Sequence, residues 1–281
     1  MSLLHYSFIV NALVTGSAVA IAAAGSGYFM ICRRMTFAGH ALPNIGFAGA
    51  AGAVLIGVEP VYGLFAITLA SALSMGLAAR NLKDRDVAVG VIMTFTLGLG
   101  FLFLAMYSGY AQRVYGILFG SILGISAQAA RFTVAAAAVS LFALAALFRP
   151  LLFSTFDSEL AEARGVPVRT LSVLFLAVLA LIVSLSVQVM GALLLFTLMV
   201  GPAATATRLV RRPFAAIALS MALGLVYVWA GIMIAAASRF LPVSFCIATL
   251  SFLAYLPARL LLPSRGMTRR TAGGPEGEAL A

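Results

Sequence analysis

Two side chains with lone pairs suited to a cation stand four residues apart, His40 and Asn44, in the stretch Gly39-His40-Ala41-Leu42-Pro43-Asn44. Positions four apart share one face of a helix, so a helical stretch here would present both together. A neutral imidazole nitrogen beside an amide oxygen offers a divalent cation a transient site. A single histidine near the edge of an apolar run serves equally as a hydrogen-bonded interfacial group. The residues alone leave both readings standing, with His40 as the candidate metal ligand.

A second constellation is ionisable rather than ligating. The longest polar connection, Arg149 to Thr170, contains Phe156-Asp157-Ser158-Glu159-Leu160-Ala161-Glu162-Ala163-Arg164-Gly165-Val166. Asp157 is placed to cap a helix N-terminus, and Glu159 in its first turn favours the helix dipole. Gly165 is the residue type that ends helices in the left-handed conformation. The pattern predicts a short, separately capped helix whose charges could dock a soluble partner or merely keep a connector in water.

Other residues bear on function by where they fall. Pro202, followed by Ala203-Ala204-Thr205-Ala206-Thr207, interrupts an apolar run and frees a backbone carbonyl, which points to a helix inside a bundle and lining a pathway. Glu59, Asp84, Asp86, Asp157, Glu159, Glu162, Glu276 and Glu278 all lie in loops, at run ends or in the tail, which argues against a proton-coupled relay through a membrane. The 11 methionines are scattered and read as packing. Cys32 and Cys246 show no metal or redox spacing and read as small core residues. Lys83, the one lysine, follows Ala79-Arg80-Asn81-Leu82, so no phosphate loop is present and no catalytic residues are assigned.

The elements that must hold these residues follow from composition. With 63% hydrophobic and 9% charged residues over 281 positions, the chain departs far from the roughly 45–50% and about 25% of a soluble domain. A net charge of +10 would suit nucleic acid in a soluble protein, but the arginines cap apolar runs instead of sharing one face, so no nucleic-acid partner is expected. The fold class is an all-α integral membrane bundle of about nine transmembrane helices, within a range of eight to ten, surrounded by lipid. The expected spans are 8–31, 41–58, 61–79, 87–106, 129–148, 171–189, 190–207, 214–237 and 241–262. The first is too long for a secretory signal and no positive residue precedes it.

A tenth run, Val114 to Ser126, is short and carries Gly116, Gly120 and Gly124, so it is read as re-entrant or interfacial. With it excluded, an outside N-terminus leaves only Arg113, Arg131 and Arg239 of the 18 Lys and Arg on the outer face, as the positive-inside rule requires. The C-terminus is then cytoplasmic. Residues 1–263 form the membrane unit, with a cytoplasmic connection at 149–170, and 264–281 form a disordered cytoplasmic tail. In the second span Gly46/Ala50, Ala48/Gly52 and Gly49/Ala53 form small-xxx-small pairs that let helices approach closely.

Several stretches, in order, resemble the permease subunits of zinc/manganese-type ATP-binding-cassette importers. Asp157-Ser158-Glu159-Leu160-Ala161 with Gly165-Val166-Pro167-Val168 is similar to that family's Asp-x-Glu-x-Ala and Gly-Val/Ile-Pro-Val. Val189-Met190-Gly191-Ala192-Leu193-Leu194 with Gly201-Pro202-Ala203-Ala204-Thr205-Ala206 resembles its Val-Val-Gly-x-Leu-Leu and Pro-Ala-Ala-Thr-Ala, and Leu118-Phe119-Gly120 with Ile122-Leu123 resembles its Leu-Phe-Gly segment. The chain departs at positions 40 and 44, where the family's Gly-Asp-Ala-x-Ser-His has an acid and a histidine.

The resemblance implies a multi-pass permease of the bacterial inner membrane that moves a divalent ion, zinc or manganese or else iron, by alternating access, and that binds no cofactor of its own. It implies a separate cytoplasmic ATPase contacting Asp157, Glu159, Glu162 and Gly165, a second permease copy as a homodimer, and an extracytoplasmic metal-binding protein. His40, Asn44 and Pro202 are then the candidates for the translocation pathway. The rival class is a secondary carrier or channel that works without an ATPase.

Overall fold

A computed structural model describes residues 7–78, 82–107, 127–238 and 240–261, and the described residues are helical wherever they are regular. In hydrocarbon every backbone N–H and C=O must find a partner within its own segment, and a run of apolar residues meets that demand as a helix. The helices are α1 (Ser7–Cys32), α2 (Thr36–Leu55), α3 (Pro60–Ala78), α4 (Leu82–Met106), α5 (Ala127–Ala146), α6 (Phe148–Phe156), α7 (Ser158–Ala163), α8 (Val168–Met190), α9 (Ala192–Leu209), α10 (Pro213–Ala237) and α11 (Val243–Leu261).

Among the described residues, seven helices hold a stretch long and apolar enough to cross a bilayer, namely α1, α3, α4, α5, α8, α10 and α11. α9 contributes a shorter apolar stretch, Leu194–Leu209. α2 has 20 residues but is diluted by His40, Pro43 and Asn44. The Gly-rich run at 114–126 and the tail from 264 lie outside the described residues, as do Arg113 and Arg239.

α2 is an interior helix, held between α3 and α4, with 13 of its 20 residues buried. Its small residues divide between the two neighbours. Gly49 and Gly63 lie so close that a Cβ on either would strike the carbonyl oxygen of the other, and Gly46 faces Leu64 and Thr68 of α3. On the other side a Cβ on Gly52 would stand 3.1 Å from the Phe103 ring, and Ala48 packs on Gly100 of α4. Lipid tails supply no net hydrophobic drive between helices, so this close backbone approach is what holds the three together. α4 turns the large side chains Val91, Phe95, Phe101 and Leu102 outward, as a lipid-facing helix must.

α1 is the other central element, packed on α5, α9 and α10. Gly27 sits directly on the Met199 carbonyl of α9, and Gly224 of α10 fits against Ala20 and Ala24. The Ser220 hydroxyl donates to the Ala24 carbonyl at 2.8 Å and the Trp229 indole to Ser17 at 2.8 Å, which makes α1 and α10 antiparallel. α1 closes in a tight turn into α2. Arg34 sits in the left-handed region at φ 55, Arg34 N–H bonds the Ile31 carbonyl at 3.1 Å, and Met35 N–H bonds the Met30 carbonyl at 2.8 Å. α8 and α9 part at Gly191, whose φ of 80 and ψ of 156 belong to a region side chains disfavour.

These pairings gather the arginines. The end of α1, the start of α2 and the start of α10 lie together. Arg208 of α9 stands 5.7 Å from the Tyr255 ring of α11, and Gly201 faces Ser251, so α9 and α11 run parallel and end side by side. Arg33, Arg34, Arg169, Arg208, Arg211, Arg212 and Arg259 therefore share one end of the bundle, whereas Arg131, in the first turns of α5, points to the other.

Two expected boundaries moved. α2 begins at Thr36 instead of 41, so His40 and Asn44 are inside the helix. The connection at 149–170 is not a single short helix, since Phe148–Phe156 forms a helix of its own before α7. Pro150 lies in the first turn of that helix, where a missing N–H costs nothing.

Candidate functional site

His40 and Asn44 occupy successive turns of α2, both half-buried. Pro43 between them has no N–H, so the Gly39 carbonyl lacks its usual intrahelical donor. The Asn44 amide nitrogen instead donates to the His40 carbonyl at 2.8 Å, which turns the side chain back on its own helix and leaves Oδ1 as the acceptor end. The His40 ring meets Phe196 of α9 edge-on, with centroids 4.8 Å apart and planes at 68°. Among the described residues no three His, Cys, Asp or Glu side chains cluster as a metal cage. An imidazole and an amide oxygen are the lone-pair donors that this stretch of α2 carries.

Pro202 lies elsewhere. It is buried, 3.7 Å from where a Cβ on Gly224 of α10 would stand, with α1 alongside. It follows Phe196 by six positions, about 240° around a helix of 3.6 residues per turn, so it faces the α1–α10 seam and not His40. The Thr205 hydroxyl donates to the Gly201 carbonyl at 2.9 Å, and α9 stays helical through the proline. Phe196, which does meet His40, carries no sequence signal beyond being apolar.

Asp157, Glu159, Glu162 and Gly165 come together on α7. The Asp157 carboxylate accepts from Leu160 N–H at 2.9 Å and caps the helix, with Glu159 in the first turn. At the other end Gly165 has φ 80, its N–H bonds the Glu162 carbonyl at 2.9 Å, and Val166 N–H bonds the Ala161 carbonyl at 2.9 Å. That pair of bonds is the Schellman closure, so a helix of 6 residues is held by its two caps more than by its length. Ala161 is fully buried and anchors α7, while Phe156, Leu160, Glu159 and Glu162 are exposed. Two apolar side chains therefore stand exposed among carboxylates on α7 and its flank.

The elements flanking α7 are tied to the bundle by two arginines that the sequence presents only as span-end charges. The Arg33 guanidinium, at the end of α1, donates through Nη1 to Ser154 Oγ at 2.8 Å and to Thr155 Oγ1 at 3.3 Å on α6, and through Nη2 to Ser172 Oγ at 2.6 Å on α8. The Arg169 guanidinium, at the start of α8, donates to the Leu77 carbonyl at 3.0 Å and so caps the last turn of α3. Partners 121, 139 and 92 residues away leave no trace in local spacing.

The sequence pattern of the ABC 3 transport family matches residues 5–261. The chain belongs to this family. It is 30% identical over 231 residues to the manganese transport system membrane protein MntC of Halalkalibacterium halodurans, covering 82% of this chain and 79% of that protein. It is 25% identical over 232 residues to the high-affinity zinc uptake system membrane protein ZnuB of Haemophilus influenzae, covering 82% and 89%. Among solved structures it is similar to a chain of PsaBC from Streptococcus pneumoniae in complex with Fab, with a TM-score of 0.81 and 26% identity over 93% of this chain and 94% of that one. Family membership and seven bilayer-length apolar helices make the chain a multi-pass protein of the bacterial inner membrane.

Proposed function

We propose that the chain is the membrane-spanning permease of an ATP-driven importer for a divalent metal ion, with ATP hydrolysis supplied by a separate cytoplasmic subunit. The observation that carries the reading is α7, a doubly capped helix exposing Phe156, Leu160, Glu159 and Glu162 at the end of the bundle where the arginines collect. The positive-inside rule makes that end cytoplasmic, which gives nine crossings, an outside N-terminus and a cytoplasmic tail. Support comes from nine long helices among the described residues that overlap the nine apolar runs.

The full transporter would contain a second copy of this permease, two ATPases on the α7 surfaces and an extracytoplasmic binding protein. Relatives named for manganese transport and zinc uptake support a metal cargo. The donors at positions 40 and 44 favour a borderline cation. Imidazole suits zinc(II) or iron(II), whereas manganese(II) prefers the carboxylate that this chain lacks there. A carrier working without an ATPase would leave the α7 surface without a task, and no relative supports it.

The test is reconstitution of the permease in liposomes with and without its ATPase. Zinc(II) uptake that requires both the ATPase and ATP is the expected result, and equal uptake without the ATPase would sink the reading. Single-cysteine labelling at Ser158→Cys, against native cysteines of which Cys246 is buried and Cys32 half-buried, is expected only from the cytoplasmic side.

A further inference from the structure

We propose that Arg33 is the positioning residue through which movement of the α7 segment reaches the helix bearing His40 and Asn44, an inference that rests on the importer reading above. α7 packs on α6 and α8, and the Arg33 guanidinium grips those same two elements through Ser154, Thr155 and Ser172. Each acceptor is fixed in place. Ser154 donates its own proton to the Leu151 carbonyl at 3.1 Å, Thr155 to the same carbonyl at 2.5 Å, and Ser172 to the Val168 carbonyl at 3.0 Å, so their lone pairs are what remains for the guanidinium. Both flanks of the docking helix are thereby pinned to one point on α1.

That point joins α2 with almost no slack. Arg33 and Arg34 form the turn, closed by the Met35 N–H bond to the Met30 carbonyl, and Gly39 lies against the Met30 thioether on the way to His40. A turn held this tightly passes a displacement on instead of absorbing it. The residue type matters as well. A forked planar guanidinium can hold acceptors on two helices at once, and a lysine ammonium of equal charge cannot reproduce that geometry.

The experiment uses the complete permease–ATPase complex in liposomes and reads zinc(II) ions transported per ATP hydrolysed, together with ATPase association. Arg33→Ala is expected to keep ATPase association and ATP hydrolysis while ions per ATP fall about tenfold, the scale of an intersite coupling. Arg33→Lys restores only part of the loss. The double variant Ser154→Ala/Ser172→Ala, which keeps the arginine and removes its two shorter contacts on α6 and α8, shows a similar fall, and combining it with Arg33→Ala adds little further because both break one network.

Transport per ATP at the wild-type level in the Ser154→Ala/Ser172→Ala variant overturns the proposal, even if Arg33→Ala fails to fold. Full rescue by Arg33→Lys overturns the bridging role in favour of charge alone. A wild-type complex that moves no metal overturns the importer reading and this inference with it, whereas coupled transport in every variant overturns this inference only.

Discussion

The His40 ring stands edge-on to Phe196 with centroids 4.8 Å apart, which joins the interior helix α2 to the first turns of α9 at the one histidine among the described residues. Two consequences of removing it differ in size. Loss of an aromatic pair costs about 1 kcal/mol of packing, whereas loss of a metal-site contact lowers affinity by roughly 10–100-fold. His40→Ala is therefore expected to leave the protein folded, with a melting temperature in detergent close to wild type, while zinc(II) uptake drops at least about tenfold. Uptake unchanged in His40→Ala would remove the ligand role.

The pair at 40 and 44 also predicts selectivity. His40→Asp with Asn44→His places a carboxylate and an imidazole on the same face of α2, one turn apart. A carboxylate suits manganese(II) better than a neutral amide does. In competition uptake the double variant is expected to favour manganese(II) over zinc(II) relative to the wild type, and an unaltered ratio would place selectivity elsewhere.

Gly165→Ala isolates a backbone effect. No atom lies within 4 Å of the position a Cβ would take, so nothing clashes, but φ of 80 disfavours a side chain. The cost is about 1 kcal/mol, concentrated at the end of α7. Pull-down with the ATPase should weaken without loss of membrane insertion. Asp157→Ala removes the opposite cap at a similar cost of about 1 kcal/mol, and Asp157→Ser, another capping residue, should recover most of it.

Much of the architecture could be read from residue order, because hydrocarbon leaves the backbone few options. The apolar runs became helices, and Asp157 and Gly165 marked both ends of α7. What stayed hidden was tertiary. Arg33 read as a topology charge because its acceptors on α6 and α8 are far away in the chain. Pro202 points to a bundle-interior helix, but that it packs toward Gly224 depends on a phase around α9 that its own position does not reveal. α6 leaves little signal because Arg149 and Pro150 look like loop residues, although a proline suits a first turn.

Main-chain contact holds the interior helix in place. Gly63→Ala would drive a methyl group onto the Gly49 carbonyl oxygen and to 2.6 Å from the Ala53 methyl, and neither backbone can yield without separating α2 from α3. Overpacking of this kind costs about 1–3 kcal/mol, with the upper end expected because the obstacle is main chain. Gly98→Ala on α4 is the matched control, since its Cβ meets nothing within 4 Å. Replacing glycine in an open helical position relieves about 0.5–1 kcal/mol of backbone entropy. Thermal unfolding in detergent should therefore show a lowered melting temperature for Gly63→Ala and an unchanged or raised one for Gly98→Ala. Equal shifts for the two would mean that glycine acts through helix propensity, and not through the contact between α2 and α3 that carries His40 and Asn44.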